Sequence, residues 1–408
     1  MSNNIVVIGG GPAGMMAAGM AAARGCQVTL IERNARLGKK LVITGKGRCN
    51  LTNNAEIEDM LLNVPTNHTF LYSAFYTFSN ADVMSFFENL GVPLKVERGG
   101  RVFPVSDKAS DILAALQKWL RASGVQIVCG RVKQISTDGD KVTGVFTYDG
   151  QKYVADSVIV ATGGKSYPMT GSTGDGYRLV KTLGHTIISP KPALVPIETQ
   201  DEWVKDLQGL SLKNVTVTLL DQNNKKAYSD FGEMLFTHFG VSGPLILSTS
   251  SHISSENIAN YRIVIDLKPA LTFEQLDARV QRDFDENSRK NFNNGLNMLL
   301  PQKIIPVVVQ LSGISPYKPI HQITKGERQA FVHLLKNLTI QLKAFRPIDE
   351  AIVTKGGVHV AQVNPSTMAS KIWQGLFFAG EILDVDAYTG GFNLQIAFST
   401  GVLAGNNC

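Results

Sequence analysis

Residues Asn4–Ala18 read NIVVIGGGPAGMMAA, and this stretch decides the fold. The apolar run from Asn4 to Ile8 predicts a buried strand, and the Ala- and Met-rich residues that follow predict a helix. Between the two stands the motif Gly9-x-Gly11-x-x-Gly14. A strand, a glycine-rich turn and a helix in this order are typical of a dinucleotide-binding unit.

Each position of the motif has a physical reason to be small. Gly9 permits the tight turn, Gly11 lets the backbone approach a pyrophosphate, and Gly14 lets the helix pack close to the strand. Pro12 and Ala13 open the helix, whose free N–H groups and positive dipole end favour phosphate. We therefore predict a phosphate site at residues 9–14.

A second predicted strand, Gln27–Glu32, ends on an acidic residue 18 positions after Gly14. Glu32 is placed to accept hydrogen bonds from the two hydroxyls of a ribose, and a carboxylate there disfavours a cofactor with a 2′-phosphate. An ordinary turn followed by a chance acidic residue is the alternative interpretation.

The segment Leu37–Asn53, LGKKLVITGKGRCNLTN, follows directly. It holds Lys39, Lys40, Lys46 and Arg48 with no acid, and its glycines include Gly45. Such a loop suits a pyrophosphate and a bulky flavin ring, while a solvated surface loop is the alternative. Cys49 lies within it; because a dithiol site needs a second nearby cysteine, we predict a packing role for Cys49 rather than redox chemistry.

Two further glycine-bearing stretches indicate a flavin. The strand at 157–161 ends in Ala161-Thr162-Gly163-Gly164 after a predicted β-meander, as in FAD proteins of the glutathione-reductase type. Near the end, GLFFAGE places the Gly380-Glu381 pair after a strand, and a helix is predicted to begin at Phe392 after Gly391. Glu381 would hold the ribityl or phosphate region. The N–H groups near Asn393 and Leu394 would face the pyrimidine edge of a flavin.

Other motifs leave alternatives open. The segment Gly171–Gly176 would form a turn over the flavin or cap a helix, and Arg101 would bind an anionic substrate or fix a turn. His359 and Lys355 are candidate substrate contacts, with a structural role as the default. The histidines and the four cysteines have no metal-ligand spacing, so no metal site is predicted.

Composition bounds the class of protein. The chain has 408 residues, 44% hydrophobic and 18% charged, which suits two or three globular domains. No CxxC pair, secretion signal or membrane-length apolar segment is present, so we expect a cytoplasmic protein without a membrane partner. The net charge of +6 is spread along the chain. This favours an enzyme that binds phosphates and disfavours a nucleic-acid partner.

The pattern along the chain predicts an α/β fold with a Rossmann-like FAD domain interrupted by an insertion. Prolines at 190, 192 and 196 mark the crossing. The predicted domains are 1–190 with 355–408 for FAD, 191–270 with 315–354 for a small β-barrel, and 271–314 for a helical insert. Helices are predicted at Thr272–Asn287, Asn293–Gln310 and Lys325–Leu335.

The sequence resembles the BaiN-like family of bacterial NAD(P)/FAD-dependent oxidoreductases. The resemblance rests on IGGGPAGMMAA, the LGKKLVITGKGRCNLTN loop, GRVFPVSDKASDI, ATGG, STGDGY, LFTHFGVSGP, TKGGV and LFFAGEILDVDAYTGGFNLQIAFSTG, and it covers residues 5–405. It implies a two-part FAD domain with an inserted β-barrel that carries a helical insert. It also implies FAD contacts at Gly11, Ala13, Gly14, Glu32, Arg33, Lys40, Cys49, Asn50, Val132, Thr162, Gly163, Glu381, Asn393, Leu394 and Gln395.

Together these observations predict an FAD-dependent oxidoreductase that passes hydride through flavin N5 to a small unsaturated or keto substrate. No second Gly-x-Gly-x-x-Gly follows a strand, so either NAD(P)H docks transiently over the flavin as electron donor or the reductant is a different compound. The alternatives are a flavin-dependent RNA-modifying or RNA-binding protein and a non-catalytic flavin-binding interaction protein. The substrate, the acid or base, and the oligomeric state stay open.

Overall fold

A computed structural model describes residues 3–253 and 257–408. The chain forms two compact units: Met1–Ala193 with Ile348–Cys408, and Leu194–Pro347. The three predicted domains stay a prediction, because compactness does not show which parts fold on their own. No helix in the described ranges is both long and apolar enough to span a membrane.

The strands of the described residues run in chain order as β1 Asn4–Ile8, β2 Gln27–Glu32, β3 Thr52–Asn53, β4 Leu94–Glu97, β5 Arg101–Pro104, β6 Gln126–Cys129, β7 Val132–Asp138, β8 Lys141–Thr147, β9 Lys152–Val154, β10 Ser157–Val160, β11 Ile187–Ala193, β12 Ile197–Thr199, β13 Ser211–Leu220, β14 Lys226–Phe236, β15 Gly240–Ser242, β16 Arg262–Asp266, β17 Leu338–Phe345, β18 Val353–Val358 and β19 Leu376–Phe378. The α-helices are α1 Pro12–Ala23, α2 Ile57–Leu62, α3 Tyr72–Thr77, α4 Asn80–Asn89, α5 Ala109–Ala122, α6 Asp175–Lys181, α7 Trp203–Asp206, α8 Pro244–Ser250, α9 Phe273–Glu286, α10 Ile305–Ser312, α11 Lys325–Lys336 and α12 Phe392–Asn407.

The first unit is built on a parallel sheet in the order β19-β10-β1-β2-β6. Residues Ile5–Ile8 of β1 are all buried, as a parallel strand covered on both faces requires. The predicted Rossmann-like unit is confirmed, since β1, α1 and β2 begin and end within a few residues of the expected positions.

Helix α12 packs along α1 through small residues. A Cβ at Gly401 would lie 2.5 Å from the Ala13 carbonyl oxygen, and one at Gly405 would lie 2.5 Å from that of Ala17. The contacts advance in the same direction along both helices, so α1 and α12 run parallel. Glycine at these positions lets the two backbones approach closely.

Three smaller sheets complete the first unit. The predicted β-meander is present as β7-β8-β9, and β3-β5-β4 forms a second sheet. Of the prolines expected to mark a domain crossing, Pro190 and Pro192 lie within strand β11, and Pro196 follows it. Strand β11 pairs antiparallel with β18 and is bulged between Ile188 and Lys191. Proline is tolerated there because a two-stranded ribbon consists of edge strands only.

The second unit contains the predicted β-barrel. Its strands close in the order β12-β15-β14-β13-β16-β17. Along β13 the buried positions alternate, with Val215, Val217 and Leu219 in the core. The strands predicted near 215–220, 261–267 and 339–345 are all found.

One predicted helix of this unit is wrong. The segment Asn293–Gln310 holds only short 3₁₀ turns and α10, which begins at Ile305. Pro301 is extended, and a second proline lies in the first turn of α10, so a continuous helix is blocked by the missing N–H groups. Helices α9 and α11 do match their predictions, and each begins with a capping box, on Thr272 and Thr324.

Candidate functional site

The carboxyl ends of three parallel strands meet in the first unit. A Cβ at Gly14 would lie 1.9 Å from the Gly9 carbonyl oxygen and 3.3 Å from the Ala161 Cβ, and one at Gly380 would lie 2.7 Å from the Ala13 Cβ. The turns after β1, β10 and β19 are therefore in contact. In open α/β sheets this edge is where ligands bind. We call it the cofactor cradle, formed by residues 9–14, Glu32, Lys40, 161–163, 380–381 and the start of α12.

Gly11 differs from the other glycines of the turn. A Cβ placed on it meets no atom within 4 Å, and its backbone is extended, with φ −78°. The N-terminal N–H groups of α1 lie directly after it and have no helical acceptor. An open backbone edge before a helix N-terminus fits a pyrophosphate, as the sequence predicts.

Glu32 is held at the end of β2 by three hydrogen bonds. Its Oε2 accepts from the Gly10 N–H at 2.7 Å, and its Oε1 accepts from the Asn34 N–H at 2.8 Å and from Asn34 Nδ2 at 2.7 Å. The side chain of Lys39 donates to Asn34 Oδ1 at 3.1 Å. Glu32 is thus fixed beside the glycine turn, where a carboxylate can take ribose hydroxyls.

Lys40 joins the basic loop to the last glycine-acid pair. Its ammonium donates to Glu381 Oε1 at 2.9 Å and Oε2 at 2.7 Å, and to Ser166 Oγ at 2.7 Å. The Thr354 N–H donates to Glu381 Oε1 at 2.8 Å. The side chains of Lys40 and Glu381 are each 20% exposed, so the pair is partly withdrawn from water.

The start of α12 forms the far end of the cradle. Gly391 has φ 105°, and a Cβ there would lie 2.2 Å from the Thr52 carbonyl oxygen. Asn393 Nδ2 donates to the Ala387 carbonyl at 2.7 Å, and Asn393 Oδ1 accepts from the Ala387 N–H at 3.0 Å. Asn393 therefore braces the preceding loop, and the first N–H groups of α12 lack helical acceptors.

Two polar atoms beside these turns lack a partner. Among the described residues, Asn50 Oδ1 and Thr162 Oγ1 are inaccessible and make no hydrogen bond. A buried polar atom without a partner is costly, and a bound polar ligand is one physical reason for it. Together with the open edge at Gly11, these unpartnered oxygens fit the polar groups of a flavin dinucleotide.

Several predicted contact residues are engaged elsewhere. Arg48 pairs with Glu97 and Asp107, and the Lys95 and Arg48 hydrogen bonds lower the pKa of Asp107. Arg33 donates to Thr173 Oγ1 at 2.6 Å and to Asp175 Oδ2 at 3.1 Å. These side chains belong to surface ion-pair networks beside the cradle.

Other predicted residues pack inside. Cys49 is fully buried, and burial raises its thiol pKa to about 12, which leaves it unreactive.

Gln395 is also buried, and its side chain is fully engaged. Its Oε1 accepts from the Thr52 hydroxyl, and its Nε2 donates to the Phe78 carbonyl and to Ser399 Oγ. Val132 and Leu394 contribute to the core, and Gly45, with φ 56°, lies against Asn50. The Gln395 N–H donates to the Gly391 carbonyl at 3.1 Å. The FAD contacts of all these residues stay predictions.

The weaker motifs take structural positions. Gly174, in the left-handed region, is the N-cap of α6. Arg101 Nε donates to the Arg98 carbonyl at 3.1 Å, which agrees with the turn interpretation. Within the described ranges, no group of three His, Cys, Asp or Glu side chains could hold a metal ion.

Sequence reasoning missed two carboxylates, Asp384 and Asp386, which lie in the loop between Glu381 and α12. Both are buried, and desolvation raises the pKa of each. Asn67 Nδ2 donates to Asp384 Oδ2 at 3.1 Å, whereas neither oxygen of Asp386 has a hydrogen-bond partner among the described residues. The sequence signal that could have identified these two carboxylates is the presence of two acidic residues within the otherwise apolar run ILDVDAY.

The comparisons with known proteins agree with this geometry. A family model described as HI0933-like protein Rossmann domain matches residues 3–407. The chain belongs to this family. The 3-dehydro-bile acid delta(4,6)-reductase of Clostridium scindens is 33% identical over 99% of this chain and 98% of the relative. The ribosomal RNA dihydrouridine synthase of Haemophilus influenzae is 29% identical over 97% of this chain and 96% of the relative.

A solved structure shares the fold of this HI0933-like chain. The 3-ketosteroid delta1-dehydrogenase from Sterolibacterium denitrificans, in complex with 1,4-androstadiene-3,17-dione, has a TM-score of 0.53 at 13% identity, with 99% of each chain covered. These findings confirm the predicted family and the Rossmann-type fold with a barrel.

Proposed function

We propose that this chain is an FAD-dependent reductase that saturates a carbon–carbon double bond next to a carbonyl group in a small molecule. The names of the two relatives, a delta(4,6)-reductase of a 3-dehydro-bile acid and a dihydrouridine synthase, both denote reduction of a ring double bond. A cytoplasmic location is part of the proposal, supported by four cysteines that are all free thiols.

The observation that carries the proposal is the offset between two helix N-termini in one cradle. Helix α12 begins nine residues before Gly401, which packs against Ala13 near the start of α1. At 1.5 Å per residue, α12 begins about 12 Å before α1 along the direction that the two helices share, so its N-terminus projects past that of α1. One end would take a pyrophosphate, and the other the pyrimidine edge of a flavin, with a ribityl chain between.

The residues of the chain divide the binding between them. The turn at 9–14 and Glu32 would hold the pyrophosphate and the adenosine ribose, and Glu381, fixed by Lys40, would face the ribityl chain. The N-terminus of α12 would stabilise negative charge on a reduced ring through its dipole. When bound, FAD supplies the hydride that the chain's own side chains cannot.

The cofactor test compares the wild type with Gly11→Val. Since a side chain at Gly11 meets nothing in the protein, the variant should fold as the wild type does and lose FAD. We expect wild-type protein to co-purify with FAD, and the variant to hold at least ten times less. Equal FAD content in both would contradict the pyrophosphate position.

For the reductant we propose NADH or NADPH docking transiently, because no second glycine motif follows a strand. Anaerobic stopped-flow mixing of the holoenzyme with each nucleotide tests this. Bleaching of the flavin absorption supports a nicotinamide donor, and failure of both nucleotides removes it.

The substrate class is tested with dithionite-reduced holoenzyme under anaerobic conditions. A cyclic enone such as 2-cyclohexen-1-one should reoxidise the flavin, and the saturated ketone cyclohexanone should not. Reoxidation by neither compound at millimolar concentration would contradict a double-bond reductase for small enones.

A second candidate, reduction of uridine in RNA, is favoured by the full-length similarity to the Haemophilus protein. Its test is salt-sensitive binding of ribosomal RNA at near-physiological ionic strength, followed by measurement of dihydrouridine in RNA from a deletion strain. Unchanged dihydrouridine and no binding would retire this candidate.

A further inference from the structure

We propose that Asp386 stores the proton that the reduction consumes and that Tyr388, two residues on, passes it to the substrate. This inference rests on the proposed function. Saturation of a double bond needs one hydride and one proton, and no residue of the cofactor cradle has been given the role of proton donor. The loop 382–388 supplies an acid at the end of the cradle where the flavin ring would lie.

The loop is fixed on three sides. The Val358 N–H donates to the Ile382 carbonyl at 2.8 Å, and the Asp384 N–H donates to the Val358 carbonyl at 3.0 Å. The Tyr388 N–H donates to the Asn63 carbonyl at 3.0 Å, and Thr66 forms an antiparallel bridge with Asp386. Asn393 holds the far end, so the side chains of this loop have fixed positions relative to the start of α12.

Asp386 is placed as a neutral acid. Its side chain is 1% exposed, and neither carboxyl oxygen has a hydrogen-bond partner among the described residues. Burial is the main cause that raises its pKa, and the negative charge of Asp384 adds to the rise. The Thr66 hydroxyl, which faces the carboxyl group without reaching full hydrogen-bond geometry, and the Lys355 charge both lower the pKa in part. A structural carboxylate in such a position would be expected to have an ion-pair or hydrogen-bond partner.

The remaining charged groups around the loop are consistent with this role. Asp384 is bound by Asn67 and lies within reach of the charges of His359 and Lys355. Lys355 on β18 is therefore the cation available to the carboxylate that Asp386 becomes after it releases its proton. The proton store and its counter-charge lie on two elements joined by backbone hydrogen bonds.

Tyr388 is the group through which Asp386 would act. It is half-buried, burial raises its phenol pKa, and the charge of Asp386 raises it further. After one alkene carbon has received the hydride, the neighbouring carbon takes the phenolic proton of Tyr388. The phenolate takes the proton of Asp386, and the Asp386 carboxylate regains a proton from water. Tyr388 is the proposed catalytic residue and Asp386 a positioning residue that acts through it.

The first test needs neither substrate nor turnover. Infrared spectra of the FAD-bound protein at pH 7 should contain the carbonyl stretch of a protonated carboxyl group. This band should lose intensity in Asp386→Asn, with any remainder assigned to the second buried carboxyl group, Asp384, and it should persist unchanged in Asp59→Asn, which removes an exposed carboxylate on α2. A wild-type spectrum without the band, or a band unchanged in Asp386→Asn, overturns the proposal.

The second test measures enone-driven reoxidation of dithionite-reduced holoenzyme. Tyr388→Phe and Asp386→Asn should bind FAD with an unchanged spectrum and reoxidise about 100-fold more slowly, whereas Asp59→Asn matches the wild type. Rates in the two loop variants equal to that of the wild type would refute the proton pathway and leave the reductase proposal standing. A wild type that no enone reoxidises would contradict the proposed function itself, and the infrared band then decides the protonation of Asp386.

Discussion

The ammonium of Lys40 bridges both carboxylate oxygens of Glu381, at 2.9 and 2.7 Å, across 341 residues of sequence. The pair joins the basic loop after β2 to the turn after β19, two segments that the sequence places at opposite ends of the chain. It therefore closes the cofactor cradle on the side of Thr354 and Ser166, whose backbone and hydroxyl groups complete the coordination of Glu381.

Removal of this pair is the first prediction. Lys40→Met leaves a partly buried Glu381 without its cation, so we expect the free energy of unfolding to fall by about 1–2 kcal/mol, less than for a fully buried pair. FAD affinity should fall with it. Lys39→Met is the matched control, because the Lys39 side chain is exposed. Its replacement should change the free energy of unfolding by no more than about 0.5 kcal/mol. Urea unfolding of both variants checks this, and equal losses would contradict the structural role of Lys40.

The second prediction concerns thiol reactivity. Burial raises the pKa of Cys49 and of Cys408 to about 12, whereas Cys129 is exposed. In native protein at pH 8, iodoacetamide should therefore alkylate Cys129 long before Cys49 or Cys408. Mass spectrometry of the peptides measures the order. Rapid alkylation of Cys49 in the folded protein would show that the loop at 44–50 is open.

The third prediction is a pH dependence of stability. Because the folded-state pKa of Asp386 is raised above its unfolded value, its contribution to stability is complete below the unfolded pKa and is lost as pH rises through the folded pKa. At pH 8, Asp386→Asn should therefore be more stable than the wild type, by about 1–3 kcal/mol. The difference should shrink as the pH falls toward 4.

Urea unfolding at several pH values measures this difference in stability. Asp59→Asn is the control, because it removes a carboxylate that is exposed and not buried. A variant that is less stable than the wild type at pH 8 would mean that the Asp386 carboxylate is ionised and stabilised in the native protein.

The fourth prediction concerns the packing of two helices. Gly401→Leu would place a branched side chain where a Cβ already lies 2.5 Å from the Ala13 carbonyl, so α12 must move away from α1. We expect the free energy of unfolding to fall by several kcal/mol, which is large for a single substitution, and we expect the variant to lose FAD. The matched change Gly326→Leu on α11, where a Cβ meets only Thr324 Oγ1 at 4.0 Å, should have little effect. Thermal unfolding distinguishes the two.

The local parts of the fold were predictable from sequence. The first β-turn-helix needs only a strand pattern and three glycines, and Glu32 follows at the expected distance. The barrel strands and the capped helices α9 and α11 also carry their signals within a few residues. The failure at Asn293–Gln310 has an equally local cause, since two prolines outweigh the apolar spacing.

The distant parts were not predictable from local patterns. Asp386 pairs with Thr66, which lies more than 300 positions earlier in the chain. Nothing in ILDVDAY shows that this acid is buried without an ion-pair partner. Arg48 was assigned to a cofactor from its place in a basic loop, but Glu97 and Asp107 reach it from later segments. A charge pattern shows where a cation lies along the chain and does not show which anion the fold brings to it.

The central claim is that FAD lies across the cradle with its pyrophosphate at Gly11. The most direct measurement is the absorption spectrum of the purified wild type beside Gly11→Val, with the released cofactor identified by chromatography. The account predicts flavin bands and one FAD per wild-type chain, and a folded, colourless variant. A wild type that stays colourless after incubation with excess FAD would contradict it.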